Sequence, residues 1–229
     1  MMAIQLNRTY TTNHHYHYHY HYQQSKPHSL FSTTKRQTPN LQVRAASEAT
    51  NGRQLILSGA VKPIPPKDAA IAITSEGFTL LDVRPEWERE KARVPGSVHA
   101  PLFVKDQDTS PVTLLKKWVH FGYIGLWTGQ NFTTLNPDFL LQVEALVPDK
   151  NSKLLVACGE GLRSVMAASK LHQAGYRNLG WLAGGFNRSV DGDFPAIEGT
   201  EKLEYATIGG VSYYFLQLLI LLQAVGKSN

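Results

Sequence analysis

The chain has 229 residues, of which 42% are hydrophobic, enough for one ordinary domain with terminal extensions. Its formal net charge is +5, but the five basic residues that precede Glu48, the first acidic residue, account for the whole excess. Without those five, the 23 basic residues fall to 18 and equal the 18 acidic ones. This balance excludes a strongly basic nucleic-acid-binding domain. The single cysteine excludes an internal disulfide and a multi-cysteine metal site.

Residues 1–45 have the composition of an organelle-targeting leader. They contain no acidic residue and many serines and threonines, and they lack the apolar run of a secretory signal. The Val-Arg-Ala-Ala stretch at 43–46 resembles a stromal cleavage pattern. We therefore predict a disordered chloroplast transit peptide over 1–45, with a mitochondrial address as the alternative. A His/Tyr tract at 14–22 is interpreted as low-complexity sequence within this leader rather than as a metal site.

A linker is expected over residues 46–59, after which short β-rich runs alternate with helical stretches up to residue 198. The predicted strands lie at 61–64, 79–83, 96–99, 153–157 and 179–182. The predicted helices lie at 66–72, 86–92, 136–146 and 163–174. Strands that alternate with helices form parallel sheets covered by helices on both faces. The predicted fold class is therefore α/β, with a single domain over 60–198.

A long connection over residues 105–135 interrupts this alternation. It carries the aromatic side chains of Trp118, Phe121, Tyr123, Trp127 and Phe132. Connections of this length are usually functional or disordered. Three roles fit the aromatic residues: a lid over the active loop, a surface for a protein partner or a membrane, and local packing onto the sheet.

Residues 206–225 form a 20-residue segment without a charged side chain. A helix of that length reaches across the roughly 30 Å hydrocarbon core of a bilayer. Gln217 and Gln223 place polar amides within it. We predict a membrane-spanning or membrane-lying helix, with the thylakoid membrane as the expected location and the envelope or stroma as alternatives. The other interpretation is an apolar helix that docks on the domain or on a second copy.

The sharpest chemical signal is a strand that leads into a cysteine and a glycine-rich turn. The apolar run 154–157 precedes Cys158, and Gly159 and Gly161 follow before a helix begins. Both glycines are expected to adopt positive φ, so that successive N–H groups point at one centre. The N-terminus of the helix adds partial positive charge. Such a cradle favours a thiolate at Cys158 and an anionic persulfide formed on it.

These motifs resemble those of the rhodanese family. The pattern Cys-x-x-Gly-x-Arg-Ser is filled by Cys158, Gly161, Arg163 and Ser164. Further segments are similar to the family's motifs in the expected order, at 80–84, 95–101, 175–179 and 182–186. With its leader and tail, the chain is similar to plant chloroplast single-domain rhodanese-like proteins.

The resemblance implies a thiosulfate sulfurtransferase-like enzyme or persulfide carrier. Cys158 would accept a sulfane sulfur from a small donor and pass it to a thiol or a cyanide-like acceptor. The substrate-binding loop would consist of Gly159, Glu160, Gly161, Leu162, Arg163 and Ser164. No metal or other cofactor and no nucleic acid is implied.

Asp82 and Arg84 are expected to support the loop structurally. We hypothesise that Asp82 pairs with Arg163 to brace the loop, the alternative being that Arg163 turns inward toward the substrate anion. Glu160 places a carboxylate in the loop, and its repulsion of a nearby anion, roughly 1 kcal/mol at 4 Å in water, disfavours thiosulfate.

Two other functions compete with sulfur transfer. Four residues separate Cys158 from Arg163, one fewer than in the phosphate-encircling loop of cysteine phosphatases, which argues against a phosphatase. The remaining alternative is a membrane-tethered rhodanese-like module for docking or sulfur sensing, with little turnover.

Overall fold

A computed structural model describes the backbone of residues 41–227 and the side chains from 46 to 223. The predicted leader, including the His/Tyr tract, therefore lies outside the described residues apart from 41–45, which begin a helix.

Strands and helices alternate along the described chain, as predicted. In chain order they are α1 (Leu41–Leu57), β1 (Val61–Ile64), α2 (Pro66–Thr74), β2 (Thr79–Asp82), α3 (Glu86–Arg89), β3 (Ala92–Arg93), β4 (Val98–His99), β5 (Phe103–Lys105), α4 (Pro111–His120), a π-helical segment (Phe121–Gly125), α5 (Leu126–Thr128), β6 (Thr133–Leu135), α6 (Phe139–Leu146), β7 (Leu154–Ala157), α7 (Leu162–Gln173), β8 (Leu179–Leu182), a 3₁₀ turn (Phe186–Arg188), β9 (Glu198–Gly199), a second 3₁₀ turn (Leu203–Tyr205) and α8 (Gly210–Lys227).

Five of these strands form a parallel sheet at the centre of the fold. Its order is β1-β8-β7-β2-β4, and β7 lies in the middle with all four residues buried. Because side chains alternate along a strand, Leu154 and Val156 face a core shared with α6 and α7, whereas Leu155 and Ala157 face a core shared with α2. Helices therefore cover both faces, which confirms the α/β prediction.

The expected linker over 46–59 is instead mostly helical. Helix α1 runs to Leu57 and packs along α7, so closely that a side chain at Gly52 would overlap the backbone of Val165. Glu48 accepts a hydrogen bond from the Ser169 hydroxyl at 2.7 Å. The sequence prediction missed this helix because its apolar residues do not recur with a clear helical period.

The long connection over 105–135 is a helical excursion rather than a loop. Strands β5 and β6 pair antiparallel and close its two ends. Between them, α4 starts at a Ser110 cap that accepts a hydrogen bond from the Thr113 N–H, and it continues through the π-helical segment into α5. Hydrogen bonds from Thr113 and Ser110 lower the pKa of Asp108 to about 2, so this carboxylate stays charged beside the helix start.

The expectation of a membrane-spanning helix is not supported. Within residues 41–227, no helix combines the length and the apolar character that crossing a membrane requires.

The apolar C-terminal segment is shortened because its first residues pack against the domain. Ala206 is fully buried, and the Lys91 ammonium donates a hydrogen bond to the Ile208 carbonyl at 2.6 Å. Helix α8 consequently begins at Gly210, four residues later than the uncharged segment.

A buried ion pair lies at the carboxyl end of β2. The Asp82 carboxylate accepts hydrogen bonds from the Arg84 N–H and from its guanidinium, the shortest at 2.7 Å. Both side chains are essentially excluded from solvent, and Arg84 also donates to the Ala92 carbonyl and lies 4.4 Å from the Phe186 ring centre. The pair therefore joins β2 to the segment before β4 and to the 3₁₀ turn after β8.

We predict that Asp82→Asn lowers the free energy of unfolding by about 3–5 kcal/mol, because it leaves the Arg84 charge buried without compensation. Urea unfolding measures this difference. Asp191→Asn is the control: Asp191 is exposed and pairs with Lys202 at 2.8 Å, so its removal leaves stability nearly unchanged. Equal effects of the two substitutions would contradict a structural role for the buried pair.

Candidate active site

Cys158 lies at the carboxyl edge of the parallel sheet, directly after the central strand β7. The neighbouring strand β2 ends beside it at Asp82, which is paired in register with Ala157. Ligand sites of open α/β sheets lie at this edge, because the loops that leave the strands meet there. The strand order thus brings the cysteine loop and the segment after β2 together.

Two main-chain N–H groups point at the thiol sulfur. Gly161 N lies 3.1 Å and Ser164 N 3.3 Å from Cys158 Sγ. The thiol donates to the Ser164 hydroxyl at 3.3 Å, and that hydroxyl donates to the Gly161 carbonyl at 2.8 Å. Both N–H donors belong to the start of α7, whose partial positive charge also faces the sulfur. The arrangement stabilises negative charge on Sγ or on an atom bound to it.

The two loop glycines serve different purposes. Gly161 has a φ of 97°, as predicted for a residue that turns its N–H inward. The prediction of positive φ at Gly159 is wrong, since its backbone is not left-handed. Glycine is needed there because a Cβ atom would overlap the Thr207 methyl group. The segment before α8 therefore packs directly onto the cysteine loop, a contact that no sequence motif indicated.

Arg163 pairs with Glu88 of α3, so the hypothesis of an Asp82–Arg163 pair is wrong. Both guanidinium nitrogens of Arg163 donate to the two Glu88 carboxylate oxygens at 2.7 Å, a bidentate geometry. Burial favours the neutral form of Arg163, but the Glu88 carboxylate outweighs it and raises the pKa of the guanidinium. Asp82 is already engaged by Arg84. Arg163 thus braces the loop, and its charge is largely neutralised.

Sequence reasoning did not single out Glu88. It lies in a charged stretch beside Glu86 and Glu90, and nothing in the spacing of the three distinguishes them. Only the fold shows that Glu88 is nearly buried, with 6% of its side chain exposed, whereas Glu86 reaches solvent and lies 3.1 Å from His99.

Residues of β8 and of the 3₁₀ turn that follows it hold the loop from outside. The Trp181 indole N–H donates to the Gly161 carbonyl at 3.0 Å and to the Ser164 hydroxyl at 3.1 Å. The N–H groups of Phe186 and Asn187 donate to the carbonyls of Cys158 and Gly159 at 2.8 and 2.9 Å. These contacts fix the carbonyl oxygens on the outer side, which leaves the N–H groups directed at the sulfur.

A cavity of about 250 Å³ leads to the thiol. Cys158 forms part of its lining but has 0% relative exposure, so a reactant must enter the cavity to meet Sγ. Glu160 and Leu162 are exposed at the cavity, and Ser164 is buried behind the sulfur. The paired Arg163 and Glu88 also line it, and the remaining lining residues are Pro85, Trp87, Phe103, Gln130, Asn131, Thr133 and Thr207.

We predict that Gly159→Ala lowers the free energy of unfolding by about 1–3 kcal/mol through overlap with the Thr207 methyl group. Thr207→Ser removes that methyl group and keeps the hydroxyl that bonds Asn187, so the double variant should recover most of the loss. Gly122→Ala is the matched control, because open space surrounds Gly122. Additive effects in urea unfolding would show that Gly159 and Thr207 are not in contact.

The chain is similar to a family of known proteins. A model of the rhodanese-like domain family matches residues 66–190. Rhodanese-like domain-containing protein 10 of Arabidopsis thaliana is 64% identical over 181 residues, which are 79% of this chain and 85% of that protein. The chloroplastic rhodanese-like domain-containing protein 11 of the same plant is 41% identical over 172 residues, 75% of this chain and 58% of that protein.

Among solved structures, a thiosulfate sulfurtransferase from Pseudomonas aeruginosa is 16% identical, with a TM-score of 0.41 over 69% of this chain and 24% of that one, which is too distant to support a functional conclusion. The family assignment rests on the sequence matches. The family model covers more than half of the residues, and both plant relatives align with three quarters or more of them. The chain therefore belongs to the rhodanese-like domain family.

Proposed function

We propose that this domain is a sulfurtransferase or persulfide carrier. The Cys158 thiolate attacks the outer sulfur of a sulfane donor, the donor's sulfur–sulfur bond breaks, and the donor leaves with the bonding electron pair. An acceptor thiolate or cyanide then attacks the outer sulfur of the Cys158 persulfide, and the original thiolate is released. Atoms and electrons balance without an external oxidant or reductant.

The observation that carries this proposal is the pair of N–H groups from Gly161 and Ser164 directed at Cys158 Sγ. Both anionic states of Cys158 in the scheme, the thiolate and the persulfide, have their charge on or next to that sulfur. Donors already in place at the start of a helix stabilise such charge without rearrangement of the loop. The cavity beside the sulfur provides room for a small donor or acceptor.

Charge at the cavity favours a donor other than thiosulfate. Arg163 is the cation of the loop and lines the cavity, and Glu88 neutralises it through two hydrogen bonds. Glu160 adds an exposed carboxylate to the cavity lining. A dianion therefore meets repulsion and no free cation from the loop, whereas a persulfide of lower charge is less affected.

A plastid location is part of the proposal. The acid-free leader has the composition of a transit peptide. The relative that is 41% identical is named as chloroplastic. Which compartment of the plastid holds the domain remains a prediction from the sequence.

The alternative of a docking or sulfur-sensing module is favoured by one observation, the complete burial of Cys158. Such a module would load sulfur and release it slowly. Turnover with an acceptor separates the two functions, because a sensor holds its persulfide after cyanide or a thiol is added.

We expect the protein to gain the mass of one sulfur atom when it is incubated with an organic persulfide donor, and to lose that mass when cyanide is added. Intact mass spectrometry measures both steps. Cys158 is the only cysteine, so the site of loading is unambiguous and Cys158→Ser is the control. A wild-type chain that never gains sulfur would refute both sulfur transfer and sulfur sensing and leave only docking. A chain that loads but does not discharge would favour the sensor.

We further predict that Glu160→Gln raises kcat/KM for thiosulfate about fivefold, equivalent to about 1 kcal/mol of repulsion removed near 4 Å in water. The same substitution should raise the rate with a singly charged organic persulfide donor by a smaller factor, because the repulsion scales with the charge of the donor. Glu90→Gln is the control, since Glu90 is also exposed but does not line the cavity. An equal gain with both donors would show that Glu160 acts by shape rather than by charge.

A further inference from the structure

We propose that the exposed apolar surface formed by α4, the π-helical segment, α5 and α8 binds in the plane of a lipid bilayer. This surface is called the apolar platform below. Its members are the exposed large hydrophobic side chains within 111–128 and 214–222. The proposal concerns membrane binding and does not depend on sulfur transfer.

Exposed hydrophobic side chains are concentrated on the platform. Of the 23 large hydrophobic side chains that are exposed in the described part of the chain, 16 lie within these two segments. Trp118 and Tyr123 are 74% and 82% exposed, and Tyr214 is 74% exposed. An apolar surface of this extent on a domain marks an interaction site rather than ordinary surface composition.

The two segments adjoin each other, so the platform is one surface. Helix α5 packs against α8. The contact is a close approach of glycines, because a Cβ atom at Gly129 would lie 2.5 Å from Gly210 N, and one at Gly210 would overlap the Leu126 carbonyl. Glycine at both positions allows the two backbones to meet, which joins the apolar side chains of both helices.

The charge of the platform fits a lipid surface. Residues 109–137 and 206–229 contain no aspartate or glutamate, although the chain has 18 acidic residues. The first segment carries two lysines, and Lys116 is exposed and takes part in none of the ion pairs found among the described residues. Helix α8 has no charged residue before Lys227. The platform itself therefore has no carboxylate that would repel anionic lipid headgroups. The carboxylates before α4 are both engaged, Asp106 by Lys117 and Asp108 by the hydroxyls of Ser110 and Thr113.

The distribution of side chains also favours lipid over a protein partner. The exposed apolar side chains of α8 are not confined to a single narrow stripe, and its only other exposed described residues are the uncharged Gln217 and Gln223. A helix that docks on a protein groove keeps a charged face toward water, whereas one without such a face suits an apolar medium. The tryptophan and tyrosine side chains of the platform match those found at membrane–water interfaces.

The dimensions of the platform fit binding in the plane of the bilayer better than they fit a helix that crosses it. Helix α8 has 18 residues, which at 1.5 Å per residue corresponds to about 27 Å and includes two glutamines. The excursion α4–α5 begins after β5 and ends at β6, which pairs with β5, so the two ends of the excursion are held together. An apolar helical face that lies in the headgroup region buries its side chains by several ångströms without spanning the bilayer.

The platform also borders the entrance to the thiol. Gln130, Asn131 and Thr133 follow α5 directly, Thr207 precedes α8, and all four line the cavity. A bilayer that contacts the platform therefore lies close to the cavity entrance. This placement would present Cys158 to reactants at the membrane surface.

Vesicle co-sedimentation of the full chain tests the proposal. The probe is a vesicle of phosphatidylcholine and phosphatidylglycerol, and the variant is Leu218→Gln with Leu222→Gln, two exposed side chains one turn apart on α8. We expect the partition coefficient of this variant to fall at least tenfold. The matched control is Leu141→Gln with Leu146→Gln, which removes two exposed leucines from α6, outside the platform, and should leave binding unchanged.

Three results would overturn the proposal. Equal losses in both double variants would show nonspecific adhesion. If vesicle binding is unchanged by the α8 substitutions but disappears at high salt, the basic leader and not the platform is responsible for the binding. If light scattering shows a dimer that the α8 substitutions convert to a monomer, and vesicle binding is unchanged, the surface serves self-association. Cys158→Ser should bind vesicles like the wild type, so failure of sulfur transfer does not affect this test.

Discussion

The account depends on one interaction, the donation of two main-chain N–H groups to the sulfur of Cys158. Gly161 and Ser164 supply them because the chain turns left-handed at Gly161 and enters α7 at the next residue. Strand β7 fixes the position of the cysteine, and Trp181 holds the Gly161 carbonyl on the far side of the turn. A persulfide needs an environment that tolerates an anion, and main-chain dipoles provide one.

The arginine side chains around the loop form ion pairs that stabilise the fold and are not free to bind a substrate. Arg84 is neutralised by Asp82, and Arg163 by Glu88. Buried ion pairs with several hydrogen bonds are costly to break, which makes them suitable braces. With these cations engaged, the preference for a reactant is set by the N–H cradle, by the carboxylate of Glu160 and by the shape of the cavity.

The sheet and the cysteine loop were predictable because each rests on local signals. Local patterns predict the ends of strands and helices to within a few residues, as do the apolar run 154–157, the glycines at 161 and 175 and the proline at 66. The Arg163–Glu88 pair and the Gly159–Thr207 contact were not predictable, since each joins positions far apart in the chain, and only the fold brings them together. The same reason explains why the two apolar segments could be recognised separately but not as adjoining parts of one surface.

The rate at which Cys158 is alkylated, in the folded protein and in the urea-unfolded chain near neutral pH, tests the N–H cradle most directly. Because the chain has one cysteine, iodoacetamide reports on this site alone. The account predicts faster alkylation of the folded protein, since two N–H groups point at the sulfur and the cavity admits a small reagent. A thiol that reacts only after unfolding would contradict it and leave Cys158 as a buried part of a scaffold.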